Sequence, residues 1–182
     1  MKDDEVIHSY LRSQATGCFN LLYDRYASKI YSKCISLLKD ESLAKDATQE
    51  IFTKIFLNLS KFGQKSKFST WVYSITYNYC IDFLRRKKKQ DLFSDEMEKA
   101  PDLAEEVPDQ ALYEMNVRQL KEVLGQMSDG DRAILLMKYQ SELSIKEIAE
   151  VLGKTESAVK MQIKRAKEKA QKLKGELFVE YL

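Results

Sequence analysis

Both prolines of this 182-residue chain, Pro101 and Pro108, fall in one short stretch, and only six glycines are scattered through the rest. Proline lacks an amide hydrogen and clashes with the preceding helical turn, and glycine is the usual residue of tight turns. A chain so poor in both has little material for β-turns and is predicted to form long helices on either side of the proline-containing stretch. The apolar pattern agrees. Phe19, Leu22, Tyr23, Tyr26, Ile30 and Tyr31 recur at helical spacing, and further helices are predicted over residues 42–59 and 68–88. Beyond the break, residues 112–127 again read as a helix, and no stretch alternates as a strand would. The expected fold is all-α: two small helical domains, residues 1–90 and 112–182, joined by an acidic linker at residues 91–111.

The formal net charge is only +2, but the charges are gathered into blocks. Residues 61–90 hold eight basic side chains and one acidic, residues 91–114 nine acidic and one basic, and residues 144–174 nine basic and four acidic. Two anion-binding modules separated by an acidic connector give this pattern, as do solvated helix faces flanking a loop. The abrupt switch near Asp91 further predicts that residues 95–109 fold over a basic face of the free protein and mask it.

The last basic block lies in "LSIKEIAEVLGKTESAVKMQIKRAKEKA". Ser144 followed by Glu147 is a capping box that starts a helix with Ile145, Ile148, Ala149 and Leu152 on its apolar face. Gly153 supplies a left-handed stop, and Thr155 caps the next helix. On that helix Val159, Ile163, Ala166, Ala170 and Leu173 share one face, while Lys160, Met161, Lys164, Arg165 and Glu168 point away and Gln162 sits on the flank. The pattern is a helix-turn-helix, whose second helix enters a major groove. Its lysines suit phosphates and Gln162 suits a base edge. A packed αα-corner with a solvated face is the plainer alternative.

Two further patterns lie nearer the N-terminus. In residues 68–89, Trp71, Tyr73, Tyr77, Tyr79 and Phe83 alternate with polar residues and run into Arg85, Arg86, Lys87, Lys88 and Lys89, a mixture suited to unstacked bases and a single-strand backbone. Trp71 and Phe83 read as core; Tyr77, Asn78 and Tyr79 read as functional. In residues 42–59, Ala44, Ala47, Ile51, Phe52, Ile55, Phe56 and Leu59 fill an apolar arc, and Asp46, Gln49, Glu50 and Thr53 lie opposite with Leu57 among them. A leucine within carboxylates and amides suits a protein partner better than DNA, although single exposed leucines are common.

These stretches together resemble bacterial RNA polymerase sigma factors of the extracytoplasmic-function (ECF, sigma-24-like) group. "FNLLYDRYASKIYSKCISLLKDESLAKDATQEIFTKIFLNLSKF" is similar to the family's regions 2.1 and 2.2. "FSTWVYSITYNYCIDFLRR" resembles regions 2.3 and 2.4, with the W-x-Y-x-I-x-x-N-x-x-x-D-x-x-R-R spacing intact, and the stretch from Leu143 to Ala170 resembles region 4.2. The resemblance implies that Asp46, Gln49, Glu50, Thr53 and Leu57 dock on core RNA polymerase. It implies that Thr76, Tyr77, Asn78 and Tyr79 capture a flipped base of the −10 element, and that Lys65, Lys67, Arg85, Arg86, Lys87 and Lys88 hold nearby phosphates. Thr155, Ser157, Lys160, Met161, Gln162, Lys164 and Arg165 would read the −35 element. An anti-sigma factor is the implied regulator, and the cytoplasm the implied location. Ser74, Met161 and Gln162 depart from the family's usual residues, which bears on the promoter sequence rather than on the class of function.

Other classes fit less well. A sigma mimic that titrates an anti-sigma factor has no use for Arg85, Arg86, Lys160 and Arg165. A stand-alone helix-turn-helix regulator leaves the stripe from Asp46 to Leu57 unexplained. An enzyme is not expected: there is no phosphate-cradling glycine loop, ligand cluster or nucleophile–base pair. His8 is the only histidine, and Cys18, Cys34 and Cys80 lack paired spacing and read as reduced, half-buried thiols, so no metal or cofactor is expected. No apolar run approaches the roughly 18 residues of a membrane span, and "MKDDEVIHSYLR" has no apolar core of a secretion signal.

Overall fold

A computed structural model describes residues 2–13, 15–63, 66–91, 109, 112 and 115–178, the side chains of residues 89–91 excepted. Lys65, and all of the expected masking segment save Asp109, lie outside the described residues. Every element among the described residues is helical. The chain forms two compact units, one of Met1–Lys87 with Glu150–Leu152 and the other of Lys88–Ala149 with Gly153–Leu182.

The first unit is built from α1 (Asp3–Ser13), α2 (Thr16–Leu38), α3 (Glu41–Asn58), a short 3-10 turn (Leu59–Lys61) and α4 (Phe68–Asp91). Leu22, Ile30, Leu37, Ile51, Ile55, Leu59 and Val72 form its core, all at 1% exposure or less. The turn between α2 and α3 is sharp. Lys39 stops α2 in the left-handed region at φ 58°, and the Asp40 side chain caps α3 by accepting from the Leu43 amide at 2.8 Å. Helix α1 was not assigned from the sequence. It buries Val6 and Ile7, and its Asp3 carboxylate accepts from Arg25 at 2.7 Å and from the Tyr26 hydroxyl. Burial first, then the Asp3 hydrogen bond, push the Tyr26 phenol above its ordinary value. The cysteines correct the sequence reading: only Cys18 is half-buried, whereas Cys34 and Cys80 are fully buried.

The second unit contains α5 (Val117–Gln126), α6 (Asp129–Leu135), a π-helical turn (Leu136–Gln140), most of α7 (Ile145–Leu152) and α8 (Glu156–Leu177). Its helix starts follow side-chain chemistry. Asn116 and Gln119 form a reciprocal capping box, which starts α5 at Val117 rather than at the expected residue 112. Ser128 accepts from the Asp131 amide at 3.3 Å, and Ser144 and Glu147 form the second box. Gly153 has φ 61°, the left-handed stop expected of it.

A buried cation ties α5 to α6. Arg132 is 3% exposed; it pairs with Asp129 at 2.7 Å and donates to the Leu124 and Met127 carbonyls at 3.4 Å. Those carbonyls end α5 without helical partners, so the guanidinium closes a helix terminus while the carboxylate neutralises it. We expect Arg132→Ala to destabilise the protein by about 2 kcal/mol, because it leaves two helix-terminal carbonyls without a donor and takes from Asp129 its buried partner. Urea unfolding followed by circular dichroism checks this, and a cost near zero would contradict it.

Candidate nucleic-acid interface

Helix α4 presents one face to solvent across Trp71, Ile75, Asn78, Tyr79, Asp82 and Arg86, which, the adjacent Asn78 and Tyr79 apart, recur three or four residues apart. With Lys54 and Asn58 of α3, and Lys61 of the following turn, they line an open pocket of about 420 Å³. Its chemistry is mixed. Trp71 packs against Phe62 and Phe68, with ring centroids 5.3 and 5.7 Å away, and turns its remaining surface to the pocket. The sequence pattern places Trp71 in the core; in the structure it is half-buried. Lys61 donates to the Asn58 side-chain oxygen at 3.1 Å, and Asn58 donates to the Lys54 carbonyl at 2.8 Å, which fixes the amide. Lys54 lies 5.7 Å from the centre of the Tyr79 ring. Burial first, then Glu50, raise the Tyr79 phenol, so it remains a hydrogen-bond donor at neutral pH.

This geometry divides the run Thr76–Tyr77–Asn78–Tyr79. Asn78 is exposed and Tyr79 half-buried, and both line the pocket. Thr76 and Tyr77 are 0% and 1% exposed, and Thr76 donates to the Val72 carbonyl at 2.9 Å. These two are core residues here and do not reach the pocket. Successive residues on a helix point about 100° apart, so four in a row cannot share one surface. Conversely, Lys54 and Asn58 are not legible as pocket residues in the sequence, and Lys61 appears there only as part of a basic block; they come from α3 and the turn after it, and only the fold brings them to the pocket. Lys67, Arg85, Arg86, Lys87 and Lys88 are exposed. Ser74, one of the departures, donates its hydroxyl to the Trp71 carbonyl at 2.7 Å.

On α3, Asp46, Gln49, Glu50 and Thr53 are exposed, and Leu57 is 66% exposed. The anticipated carboxylate and amide stripe with a leucine in it is therefore a true surface. Phe56, expected in the apolar arc, is 47% exposed and meets Tyr10 and Phe19 edge-on.

In the second unit, Val159, Ile163, Ala166 and Ala170 bury one side of α8. Thr155, Ser157, Lys160, Met161 and Arg165 are exposed, whereas Gln162 and Lys164 are half-buried. Thr155 accepts from the Ala158 amide at 3.2 Å and so acts as the cap. Gln162 accepts from Lys154 at 2.7 Å. Farther along α8 the basic residues serve the unit itself: Lys167 pairs with Asp109 at 2.7 Å and Lys169 with Asp131 at 2.8 Å. Glu168, expected to point outward, buries one carboxylate oxygen. Exposed cations without a partner among the residues just named, Lys160 and Arg165, lie in the N-terminal half of α8.

Residues 22–90 match the family model of sigma-70 region 2, and residues 117–169 match that of sigma-70 region 4. The ECF RNA polymerase sigma factor SigW of Bacillus subtilis is 31% identical, over 83% of this chain and 86% of SigW. The chain belongs to the ECF RNA polymerase sigma factors. SigM of the same organism is 25% identical over 84% of this chain and 92% of its own length. The fold is shared with the sigma factor RpoE of Bartonella quintana, solved with the anti-sigma factor NepR, at a TM-score of 0.65 and 19% identity over 85% of this chain and 95% of RpoE. It is also shared with CnrH, solved with the cytosolic domain of CnrY, at a TM-score of 0.66 and 21% identity over 94% and 96%. The pocket and the α3 stripe of this sigma factor therefore lie in region 2, and the helix-turn-helix in region 4.

The Lys167 hydrogen bond first, then that of Tyr139, hold the Asp109 carboxyl below its ordinary 3.8, against a smaller opposing effect of burial. The folded state thus favours the ionised form. Its contribution is present above the ordinary carboxylate range and is lost as the pH falls through the depressed value. We expect a carboxyl-carbon NMR titration of Asp109 to show a midpoint below 3.8, and Lys167→Ala to raise it; an unchanged midpoint would contradict the pairing.

Proposed function

We propose that this sigma factor divides promoter recognition between its units and recruits core RNA polymerase through α3. In this reading Asp46, Gln49, Glu50, Thr53 and Leu57 dock on the polymerase. The region 2 pocket takes a base extruded from the −10 element, with Trp71 as the stacking surface and Asn78, Tyr79 and Asn58 as hydrogen-bonding groups. Holding that base offsets part of the unstacking cost, a few kcal/mol. Lys67, Arg85, Arg86, Lys87 and Lys88 grip the adjacent backbone. Lys160, Lys164 and Arg165 of α8 contact phosphates of the −35 element while Met161, Gln162 and Ser157 face its bases, and Thr155 starts the helix that carries them.

The observation that carries this reading is the pocket itself: an aromatic wall, amides and cations converge on one face of α4 beside its basic end. Neither a sigma mimic nor a stand-alone regulator requires such a pocket. Two weak DNA contacts become one strong contact once both are held on the polymerase. The protein acts in the cytoplasm, where polymerase and promoters are. It supplies recognition rather than catalysis, and an anti-sigma factor is its regulator. Among the described residues no helix is long and apolar enough to cross a membrane.

The test is run-off transcription with core polymerase from the source organism on its genomic fragments. Discrete new transcripts are expected. Asn78→Ala should reduce them by about tenfold, the scale of one base contact. Lys160→Ala should weaken promoter binding and reduce the salt slope by about one. Reversing the charge of Asp46 and Glu50 together should abolish assembly with core enzyme. Tight core binding without transcripts from any fragment would favour the mimic instead.

A further inference from the structure

Region 2 holds a dithiol in its interior. Cys34 on α2 and Cys80 on α4 have no exposed surface, and the Cys80 thiol donates to the Cys34 sulfur across 3.8 Å. Sulfurs in a disulfide are about 2.05 Å apart, so rotation about the side chains and a small helix shift would close the gap. The two sulfurs are unlike. The Cys80 hydrogen bond holds the Cys34 thiol below its ordinary value; the neighbouring Thr48 hydroxyl and Lys33 charge act in the same direction, and burial opposes them. The bond to Cys34, then burial, push Cys80 up. Lys33 is itself buried, with its ammonium 4.3 Å from the centre of the Tyr73 ring. One sulfur is thus prepared as a nucleophile while the other keeps its proton.

The position matters as much as the chemistry. Cys80 follows Asn78 and Tyr79 on α4, and those two side chains line the base pocket. A covalent bond from Cys80 to α2 acts on the inward face of the helix whose outward face forms that pocket.

We propose that Cys34 and Cys80 close to a disulfide on reaction with hydrogen peroxide and that this bond is a redox switch on the base pocket. Its effect on DNA rests on the function proposed above; the bond itself does not. The oxidant must be small and uncharged, because the pair is reached only through brief openings of the core, where glutathione does not fit. The Cys34 thiolate attacks one peroxide oxygen, the O–O bond breaks, and the departing hydroxide takes the Cys80 proton to become water. Cys34 is then a sulfenic acid. The Cys80 thiolate attacks the Cys34 sulfur, the S–S bond forms, the S–O bond breaks, and the hydroxide leaves as a second water after taking up the proton released when Cys34 ionised. Two thiols and one peroxide give one disulfide and two waters.

The test uses the reduced full-length protein, treated with peroxide under native conditions and then alkylated. Intact mass and a non-reducing peptide map should show a Cys34–Cys80 bond with Cys18 alkylated, and dithiothreitol should reverse it. Holoenzyme made with the oxidised protein should bind forked −10 DNA several-fold more weakly, with affinity restored by dithiothreitol. Cys18→Ser should stay peroxide-sensitive and Cys80→Ala should not. If Cys80→Ala does not fold, the wild-type map and its reversal still decide. Sulfinic acid without a bond, a bond through Cys18, or no reaction short of unfolding would overturn the proposal, as would a correct bond with unchanged fork affinity. Failure of the reduced holoenzyme to hold forked DNA would sink the promoter reading and the switch together, while the mass map would still decide the bond.

Discussion

Much of region 2 depends on the helical repeat of α4. One side of this helix carries Val72, Thr76 and Cys80 into the core, and the other carries Trp71, Ile75, Asn78 and Asp82 to the pocket. The two sides are built from adjacent residues. Close packing inside therefore fixes the rotation of the helix, and that rotation fixes which groups a ligand meets. A change in core volume at Thr76 or Cys80 is also a change in pocket geometry, although neither residue can reach a ligand.

What could be read from the sequence was whatever is decided locally. The capping box at Ser144 and Glu147, the left-handed Gly153 and the Thr155 cap each depend on contacts within a few residues, and all three occur as expected. The exposed stripe on α3 was equally legible, because it follows from helical spacing alone. What depends on distant partners was not. Helix α1 is pinned by Asp3 reaching across to Arg25 and Tyr26, and the pocket needs Lys54 and Asn58 from another helix. Arg132 looks in sequence like any surface cation, and only the fold buries it. The error at Thr76 and Tyr77 has a different origin. A contiguous run reads in sequence as one surface, and the helical repeat divides it.

Charge illustrates the same division. The sequence gathers lysines along the last helix without saying what each one serves. In the fold Lys167 and Lys169 of α8 are bound to Asp109 and to Asp131 of α6, so part of the unit's acidic charge is met by its last helix. Lys160 and Arg165 remain exposed at the end of α8 that a groove would receive. Counting basic residues overstates the phosphate-binding surface, because part of that charge holds the unit together.

The contact between Lys154 and Gln162 carries a consequence for base readout. An ammonium can only donate, so its 2.7 Å bond fixes which end of the Gln162 amide faces it, namely the oxygen. The amide nitrogen, with its two hydrogens, is not the end that Lys154 engages. In a major groove such a group matches edges that accept, such as N7 and O6 of guanine or O4 of thymine, and gains nothing from the amino group of cytosine. In the proposed reading, a lysine in the turn before the recognition helix would in this way set the polarity of the glutamine offered to the bases.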